Sequence, residues 1–170
     1  GPQVAKHERA HELGKGRATL FVTEGDSAKN FAVAGISVVG RKHYGVYPIR
    51  GKFLNCRGME AKAIAQNKEA GELLRILGVQ LGHSYTREEA LRLPYRHMTI
   101  LSDQDVDGSH IAGLLLNFVA VCAPSLLAVL PDFVRRFATA LIRVPQGGGK
   151  PDLCFYTEEE FTKARDEGRA

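Results

Sequence analysis

Short apolar runs rich in β-branched residues alternate along this chain with longer segments of helical period. Residues 18–23, Ala-Thr-Leu-Phe-Val-Thr, are the first such run and read as a buried strand. The run stops at Glu24-Gly25-Asp26-Ser27, where Gly25 permits a sharp turn and Asp26 or Ser27 can cap a helix. That helix is expected over 28–34, with Phe31, Ala32 and Val33 inward and Gly35 as its stop. Residues 44–49 form a second strand pattern, and 61–77 follow a helical period that Gly71 divides. Thr86-Arg87-Glu88-Glu89 has the capping-box spacing for a short helix ending before Pro94. A third strand is expected at 98–101 and a helix at 109–121, closed by Pro124. Pro131-Asp132-Phe133-Val134 suggests a short helix, 138–144 a fourth strand, 146–150 a flexible glycine loop, and 158–165 a polar amphipathic helix. Residues 3–17 mix both charges and read as a solvated approach segment.

This alternation argues for an α/β fold with a central, mostly parallel sheet of about four strands flanked by helices. In such sheets ligands bind beyond the carboxyl ends of the strands, where the strand order reverses. Glu24 lies just past the first strand, and Asp103, Asp105 and Asp107 lie just past the third. If those strands are neighbours, four carboxylates converge on one crevice.

Composition narrows the class. At 170 residues with 44% hydrophobic content, the chain is one globular domain of ordinary size, needing no disulfide or metal staple to fold. We divide it into an approach segment at 1–17, a main domain at 18–146 and a C-terminal extension at 147–170. Gly1-Pro2 resembles the scar of a cleaved expression tag, so a fragment of a larger protein is expected. No apolar run approaches the ~18 residues of a membrane span. Cys56, Cys122 and Cys154 have no paired spacing, which fits reduced thiols and does not suggest a zinc site. The net charge of +4 is mild, but its distribution is uneven. Ser27 through Met59 contains no acid while carrying Lys29, Arg41, Lys42, Arg50, Lys52 and Arg57.

Clustered carboxylates repel one another and resist desolvation unless a cation joins them. Their hard oxygens suit Mg²⁺ or Mn²⁺. Several of them leave room for two ions, an arrangement used in phosphodiester displacement. A basic stretch beside them would track a nucleic-acid backbone that a purely acidic cleft would repel. Plainer readings stand beside this one. A lone Asp-x-Asp is often a simple loop, Glu24 could merely favour a helix N-terminus, and the basic run could be a solvated face. His110 could be a core or capping histidine. The calcium-loop pattern fails, because its twelfth position is Leu114 rather than Glu and a strand precedes it. The five tyrosines read as packing residues.

Three segments together resemble one known family. Glu24-Gly25-Asp26-Ser27-Ala28, Pro48-Ile49-Arg50-Gly51-Lys52-Phe53-Leu54-Asn55 and Asp103-Gln104-Asp105-Val106-Asp107-Gly108-Ser109-His110-Ile111 are similar, in order and spacing, to the signatures of the Toprim domain of type II DNA topoisomerases. The likeness covers about residues 20–161, and its intervening segments resemble the eukaryotic rather than the bacterial enzymes. Ile49 stands where the family more often has Leu, a conservative departure.

The resemblance implies a Rossmann-like Toprim fold and a mechanism. Glu24 matches a metal ligand and general acid/base for the ribose 3′ oxygen; Asp103 and Asp105 match the other Mg²⁺ ligands, with Asp107 accessory. Mn²⁺ or Ca²⁺ would substitute. Arg50, Lys52 and Asn55 match the loop lining the DNA cleavage site, and His110 is assigned to the same DNA-contacting set. Gly25, Asp26 and Arg50 match positions where cleavage-trapping drugs bind. In the family, double-stranded DNA is broken transiently by a tyrosine on a separate winged-helix domain, in an ATP-dependent homodimer acting in the nucleus or a DNA-containing organelle. No Arg-Tyr pair of the nucleophile type occurs here, since Tyr95 precedes Arg96, and no ATPase signature occurs. The chain is therefore expected to be inactive alone, with ATP a cofactor only of the full-length enzyme. A self-sufficient Toprim nuclease or primase-like enzyme, and a non-catalytic metal-dependent DNA-binding module, are the competing readings.

Overall fold

A computed structural model describes residues 7–103, 106–139, 142–146, 148–150, 153–155 and 158–168. Within those ranges, the side chains at 25–27, 29, 31, 103, 106–109, 138–139, 142–143, 154–155 and 158–160 fall outside the description. Four strands, β1 (Thr19–Glu24), β2 (Tyr44–Ile49), β3 (His97–Asp103) and β4 (Val134–Thr139), form one sheet in the order β2-β1-β3-β4. All three pairings are parallel. The α/β expectation holds, with four strands in the central sheet.

The central positions of β1, β2 and β3 are mostly buried because both faces of the sheet are covered there, whereas Arg135, Arg136 and Phe137 of the edge strand β4 are exposed. Leu20, Val22, Tyr47, Ile49, Met98 and Ile100 face the larger core. Opposite them stand α3 (Lys68–Leu77), through Leu73, Leu74 and Leu77, and α5 (Val106–Cys122), through Ile111, Leu115 and Phe118. Each such fully buried side chain contributes roughly 1.5–3 kcal/mol relative to exposure. A smaller cluster on the other face joins Val46 and Leu101 to Ala28 and Ala32 of α1 (Gly25–Val39), with Phe21 and Ile36 against it.

Several boundaries differ from the sequence expectation. The first helix starts at Gly25, with Glu24 rather than Asp26 or Ser27 at its N-cap, and it runs through Gly35. A mid-helix glycine costs only about 1 kcal/mol, which tertiary packing readily offsets. The chain stops instead at Gly40, whose φ of 85° no L-residue adopts easily and whose N–H bonds Ile36 O at 2.7 Å. Val33 is about half exposed rather than inward, while Ala32 is buried; Phe31 lies outside the described side chains.

The long helical segment breaks at Asn67, not at Gly71. α2 (Ala61–Gln66) ends there and α3 begins, with the Asn67 side chain accepting the Ala70 N–H at 3.1 Å. Gly71 serves the junction differently: a Cβ there would lie 2.6 Å from the Ala65 carbonyl oxygen. The capping box at Thr86 and Glu89 forms as expected and opens α4 (Arg87–Leu91).

Pro124 does not merely close α5 but opens α6 (Pro124–Val129) at its first turn. The expected helix at 131–134 is a turn leading into β4, because Val134, Arg135 and Arg136 take up pairing with β3. The fourth sheet strand therefore begins four residues earlier than expected. Residues 142–144, assigned to it from the pattern, form β5 (Ile142–Val144), which pairs antiparallel with β6 (Leu153–Phe155). The final helix α7 (Glu158–Asp166) is as expected.

The approach segment is not merely solvated. Its described part, from His7, lies along the outer edge of β2, where Glu8 and Val46 exchange backbone hydrogen bonds at 2.8 Å. Ala10 is buried and its N–H reaches the Tyr95 hydroxyl at 3.3 Å; His11 and Glu12 N–H groups bond Arg41 and Lys42 carbonyls. An edge strand left open would template aggregation, and this segment covers it.

Candidate functional site

Parallel pairing sends the carboxyl ends of all four strands to one edge of the sheet. Glu24, the last residue of β1, pairs with Ile49, the last residue of β2. Thr23 pairs with Leu101 on the other side, so Asp103 ends β3 two residues beyond that level. With strands ~4.8 Å apart and a rise of ~3.3 Å, the Glu24 and Asp103 backbones stand on the order of 6 Å apart. The central strand thus carries an acid. Its neighbours carry the Asp-rich stretch on one side and the basic loop on the other. α1 and α5 also begin at this edge, and helix N-termini favour negative charge.

Glu24 is half-buried with extended backbone, φ −121° and ψ 127°, and its side chain makes no capping bond to α1. Gln104 and Asp105 lie outside the described residues. The backbones of Asp103 and Asp107 are placed, as the last residue of β3 and the second of α5, while their side chains lie outside the description, as does that of Asp26 in the first turn of α1. His110 is exposed one turn into α5.

The loop after β2 has its own logic. Phe53 and Cys56 are buried, whereas Arg50, Lys52, Asn55 and Arg57 are exposed. Two apolar anchors therefore hold the loop down and leave its cationic and amide groups outward. The Phe53 ring meets Phe118 of α5 edge-on at 5.3 Å. Asn55 folds back on the chain, its Oδ1 accepting the Arg57 N–H at 3.1 Å. Burial raises the Cys56 thiol above its ordinary value, and burial together with Cys56 pushes Cys122 up to about 11. Both stay protonated at neutral pH, consistent with free thiols and unsuited to soft-metal ligation.

The donor set at the strand ends is carboxylate oxygen, which fits a hard divalent cation. Among the described residues no group of three or more His, Cys, Asp and Glu side chains could hold a metal; the Asp103–Asp107 side chains fall outside that comparison.

The sequence profile of the Toprim domain matches residues 19–129, from the start of β1 to the end of α6. This chain belongs to the Toprim family. It is 48% identical over 159 residues to DNA topoisomerase 2 of Pisum sativum, covering 92% of this chain and 11% of that protein. It is 47% identical over 152 residues to DNA topoisomerase 2 of Candida albicans, covering 87% and 10% respectively. The crystal structure of the Plasmodium falciparum topoisomerase II DNA-binding, cleavage and re-ligation domain superposes with a TM-score of 0.82 at 36% identity, covering 98% of this chain and 23% of that one. The chain thus spans about a tenth of the length of the curated relatives it matches.

The structure also reveals hydroxyl partners that the sequence pattern does not mark. Tyr47 and Tyr95 are fully buried, as packing residues should be, but each hydroxyl has a specific partner. Tyr47 donates to Glu72 Oε2 at 2.5 Å, and Tyr95 takes the Ala10 N–H and meets His7 Nε2 at 2.7 Å. Tyr85 is buried, Tyr44 stacks on Phe21, and Tyr156 lies outside the described residues. A buried tyrosine always calls for a partner for its hydroxyl, but nothing in the helical pattern of α3 marks Glu72 as that partner.

Proposed function

We propose that this Toprim chain is the metal-holding part of the DNA cleavage and religation core of a type II DNA topoisomerase. The observation that carries the reading is the sheet edge itself: Glu24 and Asp103 end adjacent parallel strands, and the Arg50–Arg57 loop ends the third. The Plasmodium neighbour, whose name states DNA binding, cleavage and re-ligation, supports it.

Glu24, Asp103 and Asp105 would hold Mg²⁺, with Asp107 accessory. Once bound, the cation supplies charge neutralisation at the scissile phosphate and the leaving oxygen. Glu24 exchanges a proton with the ribose 3′ oxygen, taking it up on religation and returning it on cleavage. Arg50, Lys52 and Arg57 neutralise backbone phosphates, while Asn55 and His110 contact the strand nearby. Gly25, Asp26 and Arg50 form the rim where cleavage-trapping drugs would sit. The nucleophile comes from elsewhere: a tyrosine of a winged-helix domain forms the phosphotyrosyl bond, whose energy is kept for religation. The complete protein acts as an ATP-dependent homodimer on double-stranded DNA in the nucleus or a DNA-containing organelle.

The test is to place Glu24→Gln and Asp103→Asn separately in a full-length parent carrying this chain and to measure Mg²⁺-dependent cleavage and religation. Each variant should lose cleavage by at least about 100-fold, the scale on which removing a charge-stabilising group slows a reaction. Normal cleavage in both would end the metal-site assignment. Nicking or primer synthesis by the chain alone, with contaminating enzyme excluded, would favour the nuclease or primase-like reading. Mg²⁺-dependent DNA binding without any cleavage in the full-length protein would favour a binding module.

A further inference from the structure

Tyr47 lies in β2 three positions before Arg50 and is fully buried. Its hydroxyl donates to a carboxylate, Glu72 Oε2, at 2.5 Å. A bond of this kind is charge-assisted and about twice as strong as one between neutral groups. Burial and the Glu72 carboxylate push the phenol far above its ordinary range, so it remains a donor at any physiological pH. Glu72 is therefore held in one place.

That place matters because Glu72 also lines a cleft of about 250 Å³, shared with Lys52 and Leu54 of the loop and with Asn67, Lys68 and Glu69 of the α3 end. Lys52 is exposed and, among the described residues, makes no ion pair. Glu72 and Lys52 line the same cleft without forming an ion pair, and facing charges act on one another over the ~8 Å Debye length at physiological salt. A lysine side chain otherwise samples many rotamers, and ordering it on binding is costly.

We infer that Glu72, anchored by Tyr47, is a positioning residue whose fixed charge draws the Lys52 ammonium toward the cleft mouth, where a DNA phosphate would meet it. The inference rests on the topoisomerase reading above. Neither residue touches DNA in this role; both act through Lys52.

A double-mutant cycle in the full-length parent tests it. Glu72→Gln keeps an oxygen to accept the Tyr47 proton but removes the charge, so the fold should survive with a modest drop in thermal midpoint that is the same with or without Lys52. DNA cleavage under single-turnover conditions should fall about fivefold. In a Lys52→Met background the same substitution should change cleavage by less than about 1.5-fold, because the group it positions is gone. Tyr47→Phe, which frees the carboxylate without removing it, should reproduce part of the loss only when Lys52 is present. Equal factors in both backgrounds, or no loss at all, overturn the inference, because a purely structural carboxylate would not couple to Lys52. Glu24→Gln run in parallel separates the two levels. If it abolishes cleavage while the cycle shows no coupling, only the positioning role fails. If it leaves cleavage intact, the metal-site role of Glu24 fails, and if the parent itself shows no Mg²⁺-dependent cleavage, the topoisomerase reading fails.

Discussion

Replacing Phe118 by Ala should be among the most costly single changes in this chain. The ring is fully buried in α5 and packs edge-on against Phe53 at 5.3 Å, so it ties the helix that follows the Asp-rich stretch to the basic loop. Removing a buried Phe side chain costs about 3–5 kcal/mol, from lost burial and from the cavity left behind. Domains of this size are stable by only about 5–15 kcal/mol, so the variant should fold but with little reserve. With an m-value of about 2 kcal/mol/M, the urea midpoint should fall by about 1.5–2.5 M. Amide exchange at residues 53–56 should accelerate in parallel, because Phe118 seats one of the two buried anchors of that loop. Val38→Ala, at a side chain 85% exposed, is the control and should stay within about 0.5 kcal/mol. A Phe118→Ala cost below about 1 kcal/mol, or unchanged exchange in the loop, would refute the claim that this aromatic pair anchors it.

Further expectations follow from the same contacts. Gly71→Ala must push a Cβ to within 2.6 Å of the Ala65 carbonyl oxygen, and should cost about 1–3 kcal/mol in urea unfolding despite the better helix propensity of Ala. Asn67→Ala removes the N-cap of α3 and should cost about 0.5–2 kcal/mol by the same measurement. The pH dependence has a definite sign. Burial holds His7 and His97 below the ordinary histidine value, so near neutrality the unfolded chain binds protons more readily than the folded one. Their contribution is fully present above the unfolded pKa near 6.5 and is lost as pH falls through the folded values. Urea midpoints should therefore drop between pH 7.5 and 5, and His97→Gln should flatten that slope. Asp132 adds a second step. The Arg96 hydrogen bond holds its carboxyl well below the usual range, so its contribution exists above the ordinary Asp pKa and disappears only under strong acid.

Periodicity carried the strands well because strands buried on both faces need continuous apolar runs. Tyr44–Ile49 emerged with its observed limits, and β1 and β3 were placed within a few residues. Helix ends were harder. Gly35 and Gly71 carry local signals for a stop, yet packing of α1 on the sheet and the Asn67 cap moved the ends elsewhere. The start of β4 was missed because a turn followed by Val-Arg-Arg has no alternation, and only pairing with β3 makes it a strand.

The sequence by itself determined which chemistry this protein can offer: carboxylates at two strand ends, a basic stretch free of acids, and three motifs of the Toprim family in the right order. Those are properties of residue type and spacing, which a linear chain displays openly. Only the tertiary structure decided that β1 lies between β2 and β3, so that Glu24 stands beside Asp103 on one side and the Arg50 loop on the other. Strand order is set by which helices cover which face, and no local pattern encodes it. The same holds for Tyr47 and Glu72, whose hydrogen bond joins positions 25 residues apart and exists only because α3 folds back onto β2.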